Sequence, residues 1–212
     1  MSYDLIVVRP SNIKILFMTK VLILGPHELT LKRTLGRQIG LATVERITEG
    51  FITDHEIDLV ISYGYRFILP QEVIDEVQGN AVNLHVSLLP WNKGADPNFW
   101  SWYEGTPKGV SIHWMTAGLD EGQLISQQEM ELSPEMTLKE SYETLGESIV
   151  NLFEKNVDSI LEKRAPKTNQ NPGGTHHKSN DRLKLWDLFP LGWNTPCREV
   201  SAIGQSNREA NS

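Results

Sequence analysis

Three short apolar runs set the fold class of this chain. Lys20–Gly25 (Lys-Val-Leu-Ile-Leu-Gly), Ile57–Ser62 (Ile-Asp-Leu-Val-Ile-Ser) and Ala81–His85 (Ala-Val-Asn-Leu-His) each have strand length and are rich in aliphatic residues. Runs of this kind read as strands buried on both faces, the signature of a parallel sheet covered by helices. Helix-length segments separate them. Glu28–Gln38 is predicted as a helix with Leu29, Leu31, Leu35 and Ile39 as its apolar positions, and Ala42–Ile47 as a second strand. Pro70 suits the first turn of a helix, where its missing N–H costs nothing, and that helix is predicted to reach about Val77. The alternation reads as an α/β protein with an open, mostly parallel but mixed, twisted sheet flanked by helices.

The second half continues that sheet. Pro97–Tyr103 is a short helix candidate, and Gly109–Met115 and Gln123–Met130 read as strands on either side of a turn at Gly118–Gly122. Thr137 and Glu140 form a capping box, in which the hydroxyl and the carboxylate each satisfy a free N–H of the first turn. Behind it Leu138, Tyr142, Leu145, Ile149, Leu152, Phe153, Ile160 and Leu161 recur at helical spacing, a stripe for core packing that ends near Arg164. Residues 1–17 are expected to be an extension, with the native fold starting near Met18 and a catalytic domain over 18–165. A polar loop and then an aromatic cluster, Trp186–Trp193, occupy 166–200 and pack on that domain. The polar residues 201–212 are expected to be a disordered tail.

Composition narrows the function classes. The 212 residues carry a formal net charge of −7 without a basic block, which argues against nucleic acid as the partner. The single cysteine, Cys197, allows neither an intrachain disulfide nor a cysteine-based metal cluster, and a reducing cytoplasm is the natural compartment. The apolar runs near the N-terminus are too short to span a membrane. No metal is expected either, since His176 and His177 are adjacent and point apart in an extended chain.

Within Ala81–His85, alternate residues share a face, so Asn83 and His85 project side by side while Val82 and Leu84 point the other way. Pro90, Gly94 and Pro97 then open the strand into a shaped loop. Taken singly, Asn83 closing a turn, His85 as a core histidine and Asp120 as an ordinary turn residue are the plainer readings. Their combination points to an enzyme site at the strand ends.

Asn83-Leu-His85-Val-Ser-Leu-Leu-Pro90 resembles the Asn-x-His-x-Ser-Leu-Leu-Pro motif of the folate-dependent formyltransferases, and Gly109–Gly122 resembles their second motif, which ends in the third catalytic residue, here Asp120. The paired match runs over about residues 57–130 and implies the family's Rossmann-like fold with 10-formyltetrahydrofolate as co-substrate. It also implies transfer of a formyl group from N10 of the folate to an amine. Asn83 and His85 are then the donors that stabilise the oxyanion, and His85, or a water held by Asp120, handles the proton. The resemblance puts the pterin against backbone groups of Phe67, Ile68 and Leu69 and of Met115, Gly118 and Leu119.

The acceptor amine divides the family. Gly25-Pro26-His27-Glu28 lacks the Gly-Ser-Asn phosphate loop of the glycinamide ribonucleotide branch. The residues after the long helix are too few for the tRNA-gripping barrel of the methionyl-tRNA branch. The loop Pro90–Asn98 and Gly173–Lys178 are most similar to the sugar-nucleotide N-formyltransferases. That implies a dTDP-linked amino-deoxysugar as acceptor, an N-formyl sugar for a surface polysaccharide as product, and Trp91, Asn92, Lys93, His176 and Lys178 as acceptor-binding residues. The family also contains homodimers formed through C-terminal elements, with which the Trp186–Trp193 cluster is compatible. Formyl transfer to another amine, of the methionyl-tRNA or glycinamide ribonucleotide type, a 10-formyltetrahydrofolate hydrolase and a non-catalytic folate-binding protein are the alternatives.

Overall fold

A computed structural model describes residues 19–35 and 39–210. The expected extension at 1–17 lies outside the described residues. Six strands form the main sheet in the order β2-β1-β3-β4-β6-β7, where β1 is Val21–Leu24, β2 Ile39–Thr43, β3 Leu59–Tyr63, β4 Ala81–His85, β6 Gly109–Trp114 and β7 Leu124–Glu129. Strands β1 to β4 pair in parallel, and β6 and β7 complete the sheet antiparallel. The order reverses between β1 and β3, and at such a switch point an open α/β sheet leaves a crevice at its strand ends. A second sheet has two strands of two residues, β5 (Lys93–Gly94) and β8 (His176–His177), paired in parallel.

The apolar runs work as predicted: every residue of β1 and β3 is buried. One face packs against α1 (Glu28–Leu35) and the long α5 (Leu138–Leu161), through Val82, Leu84, Ile112, Ile149 and Phe153. The other packs against α2 (Phe51–Asp54) and α3 (Gln71–Glu76), through Leu22, Leu24, Val60, Val73 and Ala81. Thr137 caps α5 with both bonds of the capping box in place. A third apolar cluster joins α4 (Pro97–Glu104) to α6 (Cys197–Ala210) and to the 3-10 turn Arg182–Leu188.

Four expectations need correction. The segment 201–210 is not a disordered tail but most of α6. Its polar residues are fastened to α4: Ser201 Oγ donates to the Trp102 carbonyl at 3.0 Å and Asn207 Nδ2 to Tyr103 Oη at 2.8 Å, while Gly204 passes so close to Tyr103 that a Cβ would collide with its carbonyl. The second strand lies at Ile39–Thr43, earlier than predicted. Leu29 is 80% exposed because it faces away from the stripe formed by Leu31 and Leu35. Tyr142 is likewise exposed, so the α5 stripe is narrower than its periodicity suggests.

Candidate active site

Strand β4 delivers Asn83 and His85 to one face, with Val82 and Leu84 packed into the opposite core. Asp120 arrives from the turn after β6 and meets both. Asn83 Nδ2 donates to Asp120 Oδ1 at 3.0 Å, and His85 Nδ1 lies 3.6 Å from Asp120 Oδ2. The turn is fixed from two sides. Gly122 lies so close to Trp114 that a Cβ would strike its carbonyl, and Gln170 Nε2 donates to the carbonyls of Asp120 and Gly122 at 2.7 and 2.9 Å.

The three residues that the sequence singles out therefore converge, and the structure adds a fourth. His113 on β6 lies opposite Asn83 in the antiparallel register and is buried. Its Nδ1–H donates to the Trp114 carbonyl at 2.8 Å, which commits Nε2 to the site. In the neutral ring Nε2 accepts from Asn83 Nδ2, at 3.2 Å; in the charged ring it donates to Asp120 Oδ1, at 3.3 Å. His113 stands within the second motif, and pairing that strand with β4 in antiparallel register is the signal that would have found it.

Electrostatics favour an ionised Asp120. Burial opposes the charge, but the positive charge of His85, the hydrogen bond and charge of His113 and the N–H of Gly94 outweigh it and hold the carboxyl well below the usual carboxylate range. The Gly94 N–H donates to Asp120 Oδ2 at 2.8 Å. On its other side His85 is held by the loop: its Nε2–H donates to the Asn92 carbonyl at 3.1 Å. That orientation leaves Nδ1 as the nitrogen facing Asp120.

A cavity of about 340 Å³ opens beside this cluster, lined by Lys93, Leu119, Glu121, Gly173, Gly174, Thr175 and His176. Two predicted acceptor-binding residues, Lys93 and His176, thus share one cavity wall. Asn92 does not line it. It is fully buried, with its side chain spent on Glu104, Thr175 and Thr106. Trp91 is half-buried and Lys178 exposed, and neither lines this cavity. Of the predicted folate positions, Ile68 is 61% exposed and Phe67 half-buried, whereas Leu69 is core. The loop holding Met115, Gly118 and Leu119 is tied to the first residue of α3, since Ala117 N–H donates to Gln71 Oε1 at 3.2 Å. That bond ties the second predicted folate loop to the helix that follows the first.

Comparison with known proteins places this geometry. The family model described as formyl transferase matches residues 42–156, which include all four residues of the cluster. The chain belongs to the formyl transferase family. Among solved structures, the formyltransferase PseJ from Anoxybacillus kamchatkensis superposes with a TM-score of 0.81 at 36% identity, covering 87% of this chain and 99% of that one. That structure is described in complex with UDP-4,6-dideoxy-4-formamido-L-AltNAc and tetrahydrofolate. A 4-N formyltransferase from Francisella tularensis shares the fold at 20% identity, with a TM-score of 0.71 over 87% of this chain and 86% of its own. A methionyl-tRNA formyltransferase of Rickettsia bellii is 31% identical over 138 residues, 63% of this chain and 45% of the relative. The chain spans less than half the length of the curated relatives it matches. Among the described residues, no group of three or more His, Cys, Asp or Glu is placed to hold a metal ion, and no helix is long and apolar enough to cross a membrane.

Proposed function

We propose that the protein transfers a formyl group from 10-formyltetrahydrofolate to the amine of a nucleotide-linked amino-deoxysugar. The observation that carries this reading is the convergence of Asn83, His85 and Asp120 beside a cavity walled by Lys93 and His176. The likeness to PseJ over nearly the whole of that chain supports the sugar-nucleotide class. The folate supplies the activated formyl group, and the loops Phe67–Leu69 and Met115–Leu119 hold its flat ring system, with Ile68 as an exposed apolar side chain to pack against it.

Asn83 and His85 stand where negative charge builds on the formyl oxygen as the amine attacks. One N–H of Asn83 is used by Asp120; when His113 is charged, the second is free for that oxygen. His85 Nδ1 is the atom that accepts or returns the proton, because Nε2–H is committed to the Asn92 carbonyl and Asp120 stabilises the charged ring. Lys93 offers positive charge and His176 a hydrogen-bonding imidazole to an anionic acceptor, and Glu121, which lines the same cavity, offers a carboxylate to its amine.

The test is to follow tetrahydrofolate release with a panel of amines: UDP- and dTDP-linked 4-amino and 3-amino sugars, glycinamide ribonucleotide and methionyl-tRNA. Release is expected only with an aminosugar nucleotide. Release without an amine identifies a hydrolase, and release with methionyl-tRNA overturns the acceptor class.

A further inference from the structure

The catalytic cluster is held on one side by the main sheet. On the other it is held by a short arm, and that arm has its own fastening. His85 Nε2 and Asp120 Oδ2 both bond to backbone of the 92–94 segment, at Asn92 O and Gly94 N. The segment is zipped along its other edge to residues 175–177. Asn92 N donates to Thr175 Oγ1 at 2.9 Å, Lys93 N to Thr175 O at 2.9 Å and Ala95 N to His177 O at 3.0 Å. Gly94 has φ +88°, and a Cβ there would collide with the His177 carbonyl.

The fastening is a contact between an imidazole and a carboxylate. His177 lies flat on Trp100, ring centroids 3.7 Å apart and planes 7° from parallel, with Nε2 2.8 Å from Glu104 Oε1. The N–H is not aligned for a good hydrogen bond, so the attraction is that of an ion pair when the imidazole carries its proton. The other carboxylate oxygen of Glu104 accepts from Asn92 Nδ2 at 3.1 Å. One carboxylate at the end of α4 therefore grips both strands of the arm: β8 through His177 and the residue before β5 through Asn92. With side-chain exposures of 14% and 21%, His177 and Glu104 are screened from water more than a surface pair is.

We propose that Glu104 and His177 form a positioning latch that holds the β5–β8 arm in register with the reaction centre. The latch sets the Asn92 carbonyl that orients His85, the Gly94 N–H that steadies Asp120, and, through the same strands, Lys93 and His176 in the cavity wall. Neither latch residue touches the reacting atoms. The inference rests on the catalytic reading of His85 and Asp120.

Two measurements test it. The first is steady-state kinetics of Glu104→Ala, His177→Ala and the double variant, assayed well below their melting temperatures. Each single change is expected to lower kcat about tenfold or more, because displacement of a reacting group by a fraction of an ångström is enough for that. KM for 10-formyltetrahydrofolate stays within about twofold, since the loops proposed to hold it, 67–69 and 115–119, lie outside the arm. The double variant is expected to lose no more than the worse single one, as two halves of one latch should. Unchanged kcat, additive losses, or an effect confined to the acceptor KM overturns the latch. The second measurement is amide hydrogen exchange of Glu104→Ala, which needs no acceptor. Exchange about tenfold faster at Lys93, Gly94 and Ala95, with β1 and β3 unchanged, is expected; unchanged protection of those three amides overturns the proposal. If wild-type enzyme turns over none of the amines, the function reading fails while the exchange result still decides whether the latch exists.

Discussion

The two sides of the reaction centre are built by different physics. Asn83 and His85 stand on β4, a central strand whose position is set by burial: Val82 and Leu84 are in the core, with β3 and β6 hydrogen-bonded on either side. The facing side, residues 92–95 with 175–177, contributes little apolar surface and is held by polar contacts of Asn92, Thr175, Glu104 and His177. A site made this way has one half set by burial, which carries the proposed chemistry, and one half set by polar contacts, which faces the proposed acceptor cavity. In the half set by burial, function and stability should come apart on mutation. In the arm they should move together but weakly.

The largest effect to look for lies at the boundary. His85→Ala and Asp120→Ala are expected to lower kcat by about 10²–10⁴-fold, the usual weight of acid–base and oxyanion groups, while folate binding measured by calorimetry persists. Near-normal turnover in His85→Ala would remove the basis of the comparison. Next, Leu84→Ala cuts the core beneath the same strand and should cost about 2–5 kcal/mol in urea unfolding, with the m-value unchanged. A loss below about 1 kcal/mol would mean that burial does not hold β4. Thr175→Val removes the acceptor of the buried Asn92 N–H and should cost about 1–3 kcal/mol, with the kcat loss tracking the latch variants. If Thr175→Val leaves stability and rate untouched, the arm is not held by polar contacts. The subtlest sign is in acid. Asp120 is held below the usual carboxylate range, so its contribution to stability is complete above the ordinary carboxylate pKa of about 4 and disappears as pH falls through its lowered value. Unfolding curves should therefore show wild type losing stability more steeply than Asp120→Asn below about pH 4; parallel pH profiles would show that Asp120 is not held ionised.

The same division governs what could be read from the chain. Strand β4 was legible to the residue, because an aliphatic run between turn signals leaves one arrangement. The start of α5 was legible too, because Thr137 and Glu140 satisfy each other locally. The arm was not. Asn92 looks like a binding residue in a polar loop, and only tertiary structure shows it fully buried and surrounded by Glu104, Thr106 and Thr175. His113 was hidden for a related reason: its meaning lies in the strand opposite, not in its own neighbours. Helix α6 was misread because its anchors to α4 include Ser201, Asn207 and a glycine, residues that in isolation describe a solvated tail.

One feature of the sheet bears on how such a protein is made as well as how it works. Asn83 faces His113 across the antiparallel pair β4 and β6. A slip of one residue in that pairing turns every side chain of β6 over. Ile112 or Trp114 would then stand where the imidazole belongs, and Asp120 would be drawn off the centre with the turn. Catalytic competence is therefore a proofreading signal for strand pairing: a misregistered molecule keeps much of its secondary structure and is silent in the assay. Specific activity, measured during refolding alongside circular dichroism, would count the molecules whose two sheet halves have joined in the right frame.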